Sequence, residues 1–251
     1  MTDPKRDNFG RPLIIPPSGG PAVPYRRCTT FIDVLADRSA LERWKQRQTA
    51  IGLSRRNDLL LRIATAGKDN KTLDKVCEWA LQAAGSDASA NIGTAIHTLT
   101  EQIDRGETPE IPEAWAKDVK AYLQATRDLK MMGIEVFVVN DDLKVGGTFD
   151  RLVYDTARPI PLVADLKTGS ISFDTGKIAM QLAVYANSQI YNIETGERTP
   201  LYVNASEGLV IHLPQGEGKC TLYEADLVEG WKGAQLAADV WAWRGKKGFL
   251  K

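Results

Sequence analysis

The sequence predicts an α/β or α+β fold, a central mixed sheet flanked by helices, with a helical N-terminal region ahead of it. Three observations lead there. Apolar residues recur at helical spacing through most of residues 39–133, β-branched and aromatic residues alternate over 134–167, and helical and strand patterns interleave from 175 onward. At 251 residues the chain is long enough to bury a real core.

Residues 1–24 hold Pro16-Pro17, Gly19-Gly20-Pro21 and Pro24, and are expected to form an extended or flexible arm with little to pack. Residues 25–86 are expected to be helical. Ser39 is placed to cap a helix through Leu41, Trp44 and Ile51, Asp58 to Ala64 continues the pattern, and Lys71 to Ala84 repeats it with Leu73, Val76, Trp79 and Leu81. From residue 87 to 251 the chain reads as one core. Asp87 or Ser89 opens a helix carrying Ile92, Ile96, Leu99 and Ile103 and stopping at Gly106. Pro112, a good first-turn residue, starts the next, and Gly133, a good C′ residue, ends it.

The period then changes. Ile134 to Val139 reads as a strand, Asp141-Asp142 as a turn and Val145 to Tyr154 as the return strand; after Arg158-Pro159, Ile160 to Lys167 is a third. Thr175 to Tyr191 is expected to be helical, with Ile178, Leu182 and Tyr185 on one side. Leu201 to His212 and Cys220 to Tyr223 are expected as strands. Asp226, with Glu229 three residues on, resembles a capping box for a final helix through Trp231, Leu236 and Val240.

A hydrophobic share of 43% with 25% charged residues excludes wholesale disorder. Thirty-two basic and thirty-two acidic residues cancel, so any attraction for phosphate has to come from a local concentration of cations. No run approaches the roughly 20 apolar residues of a membrane span, and Met1 to Gly20 has no secretory core, so a cytoplasmic protein with no membrane association is expected. Cys28, Cys77 and Cys220 fit neither a disulfide framework nor a Cys-x-x-Cys metal site and read as reduced, passive thiols.

One constellation points to chemistry. Asp150 ends Gly146-Gly147-Thr148-Phe149-Asp150 inside an apolar strand, where the two glycines thin the strand for a close approach. Asp165 and Lys167 lie two apart in Val163-Ala164-Asp165-Leu166-Lys167, so strand alternation puts them on one face. If the two strands are neighbours, two carboxylates and an ammonium converge. Burying them demands compensation, and a hard divalent cation such as Mg²⁺ or Mn²⁺ provides it. Read singly, each Asp is a partly exposed residue paired with a nearby cation.

Gly147-Thr148-Phe149-Asp150, fifteen residues ahead of Asp165-Leu166-Lys167-Thr168-Gly169, resembles the core of the PD-(D/E)XK nuclease superfamily. Gly93-Thr94-Ala95-Ile96-His97 upstream and Gln181-Leu182-Ala183-Val184-Tyr185 downstream are similar to the Gly-x-x-x-His and Gln-x-x-x-Tyr motifs of its RecB-like branch, which includes phage recombination exonucleases and CRISPR-associated adaptation nucleases. The four elements span about a third of the chain. The resemblance implies a metal-dependent DNA exonuclease for recombination or repair, with His97, Asp150, Asp165 and the Leu166 carbonyl holding one or two Mg²⁺ or Mn²⁺ ions. Lys167 would orient or help deprotonate the attacking water, and Gln181 and Tyr185 would hold the DNA backbone or the lysine. The clustered cysteines of some relatives are lacking, so no iron–sulfur cluster is expected. No Walker lysine motif is present either. A phage origin, and a recombination or single-strand annealing protein as partner, are in keeping with the stand-alone layout.

Further residues carry two readings each. Glu101, one turn beyond His97, is either a partner orienting the imidazole or an exposed helix residue; Glu135 reads as a solvated strand-end residue. Arg26 and Arg27, with the Arg43 to Arg47 stretch and Arg55-Arg56, are candidate phosphate contacts or solvated faces, and residues 25–86 a candidate DNA-channel wall. Phe173-Asp174-Thr175-Gly176 matches an aspartic-protease triplet, but it leads into a helix and reads as a cap. An endonuclease of the same fold and a catalytically silent DNA-binding module are the alternatives. Oligomeric state is not legible.

Overall fold

In the computed structural model the described residues are 3–86, 88–172 and 174–249, without the side chains of 88–90. The fold is α/β. In chain order come strands β1 (Leu13–Ile14), β2 (Val23–Pro24) and β3 (Arg26–Arg27), then helices α1 (Cys28–Ile32), α2 (Ser39–Arg55), α3 (Asn57–Ala66), α4 (Asn70–Ala84), α5 (Ala88–Asp104) and α6 (Ala116–Thr126). Strands β4 (Leu129–Asn140), β5 (Val145–Asp155) and β6 (Leu162–Lys167) follow, then α7 (Thr175–Ala186), β7 (Gln189–Tyr191), β8 (Arg198–Pro200), β9 (Glu207–His212), β10 (Thr221–Asp226) and α8 (Leu227–Gly245). None of the described helices is long and apolar enough to cross a membrane.

The chain packs as two compact units: the described residues of 1–36 with those of 97–251, and residues 37–96. This departs from the expected divisions at 24/25 and 86/87. Residues 25–36 join the core because β3 pairs with β5 and because Cys28, Phe31 and Ile32 of α1 are buried in its main hydrophobic cluster.

In the larger unit the sheet order is β10-β9-β6-β5-β4-β7-β8, with β3 beside β5. β6 and β9 run parallel, while β5–β6, β4–β5 and β9–β10 are antiparallel, so the sheet is mixed. Val136, Val138, Phe149 and Val163 from the sheet pack with Leu182 and Tyr185 of α7 and Ala234 of α8. Gly230 lets α8 cross α7 closely: a Cβ there would stand 2.3 Å from the Ala179 carbonyl oxygen. Asp226 caps α8, accepting from the Val228 and Glu229 amides at 3.0 Å each, and Glu229 pairs with Lys232.

The N-terminal segment, expected as a flexible arm, is pinned. Ile14 is fully buried with Tyr25, Phe137, Val139 and Tyr191. The Tyr191 hydroxyl accepts from the Ile15 amide at 3.0 Å, and Arg198 donates to the Ile15 carbonyl at 2.7 Å. Arg198 and Tyr25 also meet on the Asp141 carboxylate.

Two expected helices are shorter than their local pattern. The one expected over 112–133 is α6 alone, because Leu129 to Met131 pair with the far end of β5 and Gly133 sits at a bulge inside β4. The one expected over 175–191 stops at Ala186. Asn140 donates to the Asn187 carbonyl at 2.7 Å, and Gln189–Tyr191 then add a strand to the β4 edge. A sheet edge in need of a partner outweighs helical spacing in both places. The strands expected from Ile160 and Leu201 begin later, at Leu162 and Glu207.

The smaller unit is a helical hairpin with α3 against it. Leu59, Val76 and Ala80 form its core, joined by Leu53, Ile63 and Trp79. Gly52 permits the crossing of α2 and α4, since a Cβ would lie 1.7 Å from the Ala80 carbonyl oxygen. Ser39 begins α2 but does not cap it; Arg38 holds the cap position without a side-chain bond, and Asp37 accepts from the Ser39 amide at 2.8 Å. Of the expected starters of α5, Asp87 and the Ser89 side chain lie outside the described residues.

Candidate active site

The site forms where two strands part. The antiparallel ladder between β5 and β6 runs Val153↔Leu162, Leu152↔Val163, Arg151↔Ala164. Asp150 and Asp165 would be the next opposed pair, and the ladder stops short of them. On the same edge of β5, β3 takes over at Val145 and Gly146. Asp150 bridges the parting strands with its side chain: its Oδ2 accepts the Leu166 amide at 2.7 Å. Beyond Asp165, β6 is held by β9, with Lys167 opposite His212. The Lys167 carbonyl accepts from the Leu213 amide at 2.8 Å, and the His212 ring meets the Gly169 carbonyl at 2.9 Å. The stretch that carries Lys167 is therefore anchored on both sides.

Asp150 and Asp165 are both buried, and burial raises both carboxyls. Asp165, with Asp150 as its next neighbour in effect, is pushed up to about 6, while the Leu166 amide and Lys167 work to hold Asp150 down. Lys167 forms an ion pair with Asp165 Oδ2. Burial tends to lower that ammonium, but Asp165 and Asp150 outweigh it and leave Lys167 above the ordinary lysine value. His97, on α5, puts Nδ1 3.6 Å from Asp150 Oδ2, and burial lowers its pKa. Burial thus favours a neutral imidazole able to serve as a ligand, against the pull of the nearby carboxylates. A cavity of 290 Å³ opens beside Lys167, lined also by Thr29, Ser170, Lys177 and Gln181.

Gln181 lies where its motif placed it, but it serves the site from inside. Its Nε2 donates to Asp165 Oδ1 at 3.4 Å and to the Tyr185 hydroxyl at 3.3 Å. Tyr185, expected to hold the DNA backbone or the lysine, is only 3% exposed; its ring packs against Phe149, 6.0 Å between centroids, and its hydroxyl meets Gln181. Gly147 admits the ring, because a Cβ there would stand 2.8 Å from Tyr185 Cε1. Leu166 has a buried side chain, so it faces the site through its backbone. Arg26 and Arg27 lie on β3, Arg26 stacked at 4.2 Å over Trp241.

Two features escaped the sequence. Arg151 is fully buried beside Asp150 and ties the site together from behind. It donates to the Asp104 carboxylate, to the Asp150 carbonyl at 2.9 Å and to Thr100 Oγ1 at 3.2 Å, and Thr100 in turn donates to the His97 carbonyl at 2.9 Å. Tyr122 donates to the same Asp104 oxygen at 2.6 Å. One guanidinium so joins β5, α5 and α6, and removing a partner of such a buried pair typically costs about 3–5 kcal/mol. Its only signal was a charged residue at an interior strand position.

Glu135 is the other. It is half-buried, not a solvated strand end. Its φ of 53° falls where the register passes from Ile134↔Arg151 to Val136↔Phe149, opposite Asp150. Burial, then Asp150 and Glu101, push its carboxyl up to about 7. With Glu101, Arg105 and Thr148 it lines a cavity of 450 Å³. Glu101 itself pairs with Arg105 at 3.5 Å.

The donor set suits a hard divalent cation. Asp165 Oδ2 is buried and no hydrogen-bond donor meets it in good geometry, the Lys167 ion pair notwithstanding. A second carboxylate and an imidazole stand beside it. Among the described residues no three His, Cys, Asp or Glu side chains are drawn into a closed ligand set, so backbone oxygen or water has to complete any shell. Neither a family model nor a curated protein matches the chain.

Proposed function

We propose that the chain is a Mg²⁺- or Mn²⁺-dependent deoxyribonuclease of the PD-(D/E)XK type, RecB-like branch, acting as an exonuclease at DNA ends. The observation that carries the reading is the parting of β5 and β6 at Asp150 and Asp165, which leaves two largely buried carboxylates beside Lys167. Asp150, Asp165, His97 and the Leu166 carbonyl would hold one or two ions. Bound there, such ions supply an activated water and neutralise charge at the phosphate.

The chain's own groups have distinct duties. Lys167 stays an ammonium at neutral pH because its carboxylate partners hold it above the ordinary value, so it orients water and balances phosphate charge and is not the base. Gln181 fixes the direction of Asp165 through Oδ1. Arg151 fixes the backbone of Asp150 and, through Thr100, that of His97. Phosphate contacts fall to cations at the rim, among them Lys177 beside the cavity and Arg26 and Arg27 on β3.

End-labelled linear duplex with Mg²⁺ tests the reading. Asp165→Ala and Lys167→Ala are each expected to slow release of labelled product on the order of 100-fold or more, the scale of losing one electrostatic group from an active site. Degradation by either variant at the wild-type rate would refute the site. A covalently closed circle left intact marks an exonuclease, and a nicked or linearised circle an endonuclease.

A further inference from the structure

A third cavity, of 390 Å³, lies away from the carboxylates and is lined by Phe9, Arg11, Arg26, Arg27, Thr30 and Trp241. Three of its six residues are arginines and two are aromatic; Asp7 holds the Arg11 guanidinium at 2.6 Å, so the cationic character of the cavity rests on Arg26 and Arg27. In a chain whose charges cancel, this is the kind of local cation concentration that anion binding needs. Trp241 is fixed by its indole N–H, which donates to the Phe31 carbonyl at 2.9 Å, and Arg26 stacks on its face at 4.2 Å with Arg244 at 5.8 Å. Phe9 stands out on a built turn. Asp7 Oδ1 accepts from the Phe9 and Arg11 amides at 2.9 Å each, Arg11 lies 5.4 Å from the centre of the Phe9 ring, and the ring is 81% exposed.

We infer that this cavity is a single-strand subsite, taking an unpaired stretch of DNA with a base stacked on Phe9 or on the Arg26 guanidinium and a phosphate on Arg27. The chemistry is that of sequence-tolerant single-strand binding, in which aromatic platforms hold bases and a cationic groove follows the backbone. Its position suits the role. Thr29 lines the cavity beside Lys167, and Thr30, the next residue of α1, lines this one. A strand leaving or approaching the carboxylates by way of α1 meets the arginines next. A duplex presents its bases already stacked and offers Phe9 nothing to hold, so the subsite separates single strand from duplex.

The subsite rests on the nuclease reading for its place in a reaction, yet the two can fail separately. Binding of labelled dT12 and of a blunt 12-base-pair duplex is measured by fluorescence anisotropy in EDTA, where cleavage plays no part. Phe9→Ala, which removes an exposed ring and leaves the fold alone, is expected to weaken dT12 about tenfold and to change duplex binding less than about twofold. Arg27→Gln is expected to weaken both and to reduce the salt slope by about one ion. Wild-type affinity for dT12 in Phe9→Ala, or an equal loss on duplex, overturns the proposal. So does Phe9-dependent binding to phosphatidylserine vesicles in place of dT12. Phe9-dependent dT12 binding by a chain that cleaves nothing with Mg²⁺ keeps the subsite and removes the nuclease.

Discussion

Glu135 carries the clearest pH signature among single residues. Its carboxyl lies at about 7 in the folded chain against an ordinary 4.5, so the fold prefers it protonated. The stability linked to that preference is fully present below the unfolded value and is lost as pH rises through about 7. Glu135→Gln removes the ionisable group. In EDTA its melting temperature is therefore expected to exceed that of the wild type by more at pH 8 than at pH 5, as calorimetry at the two pH values would show. A difference independent of pH would mean that neither burial nor the neighbouring Asp150 and Glu101 raises this carboxyl. At this scale Asp150, Asp165 and Lys167 were legible because their spacing and apolar surroundings are local facts of the sequence. Arg151 and Thr100 were not, since Arg151 finds its partners Asp104 and Thr100 47 and 51 residues away in the chain. Glu135 was misjudged because a positive φ in a non-glycine residue leaves no mark in the pattern of apolar residues.

Two helices, α7 and α8, hold the site from one side of the sheet, and their crossing tolerates no side chain at Gly230. The clash is with backbone, so α7 must move if a methyl is added. Gly230→Ala is expected to lower unfolding free energy by about 1–3 kcal/mol in urea titration and to displace Gln181, two residues beyond Ala179. Stability equal to wild type would show that the helices can separate without loss. Element identities were mostly legible: the helices and the three-strand meander follow their periodicities, and Asp226 caps where its spacing implied. The misses share one cause. Residues 129–131 and 189–191 look helical by composition of their neighbours but complete sheet edges, and such a demand belongs to the tertiary structure.

For the whole molecule, the division at residues 36/37 and 96/97 separates a helical unit that was legible as helices but not as a unit. Long-range pairing set the boundary: β3 reaches β5 across more than a hundred residues. Gly52→Ala forces α2 from α4 inside residues 37–96, so limited proteolysis is expected to cut that segment sooner than in the wild type. The described parts of residues 1–36 and 97–251 are expected to survive together as resistant, associated fragments. Equal cutting in both proteins would mean the hairpin accommodates the methyl. The same long reach has a consequence for biosynthesis. Phe9, Arg11, Arg26 and Arg27 are made more than two hundred residues before Trp241, so the arginine cavity is assembled only once Trp241 of α8 has been translated. A nascent chain stalled before α8 would carry Asp150, Asp165 and Lys167 but not that cavity.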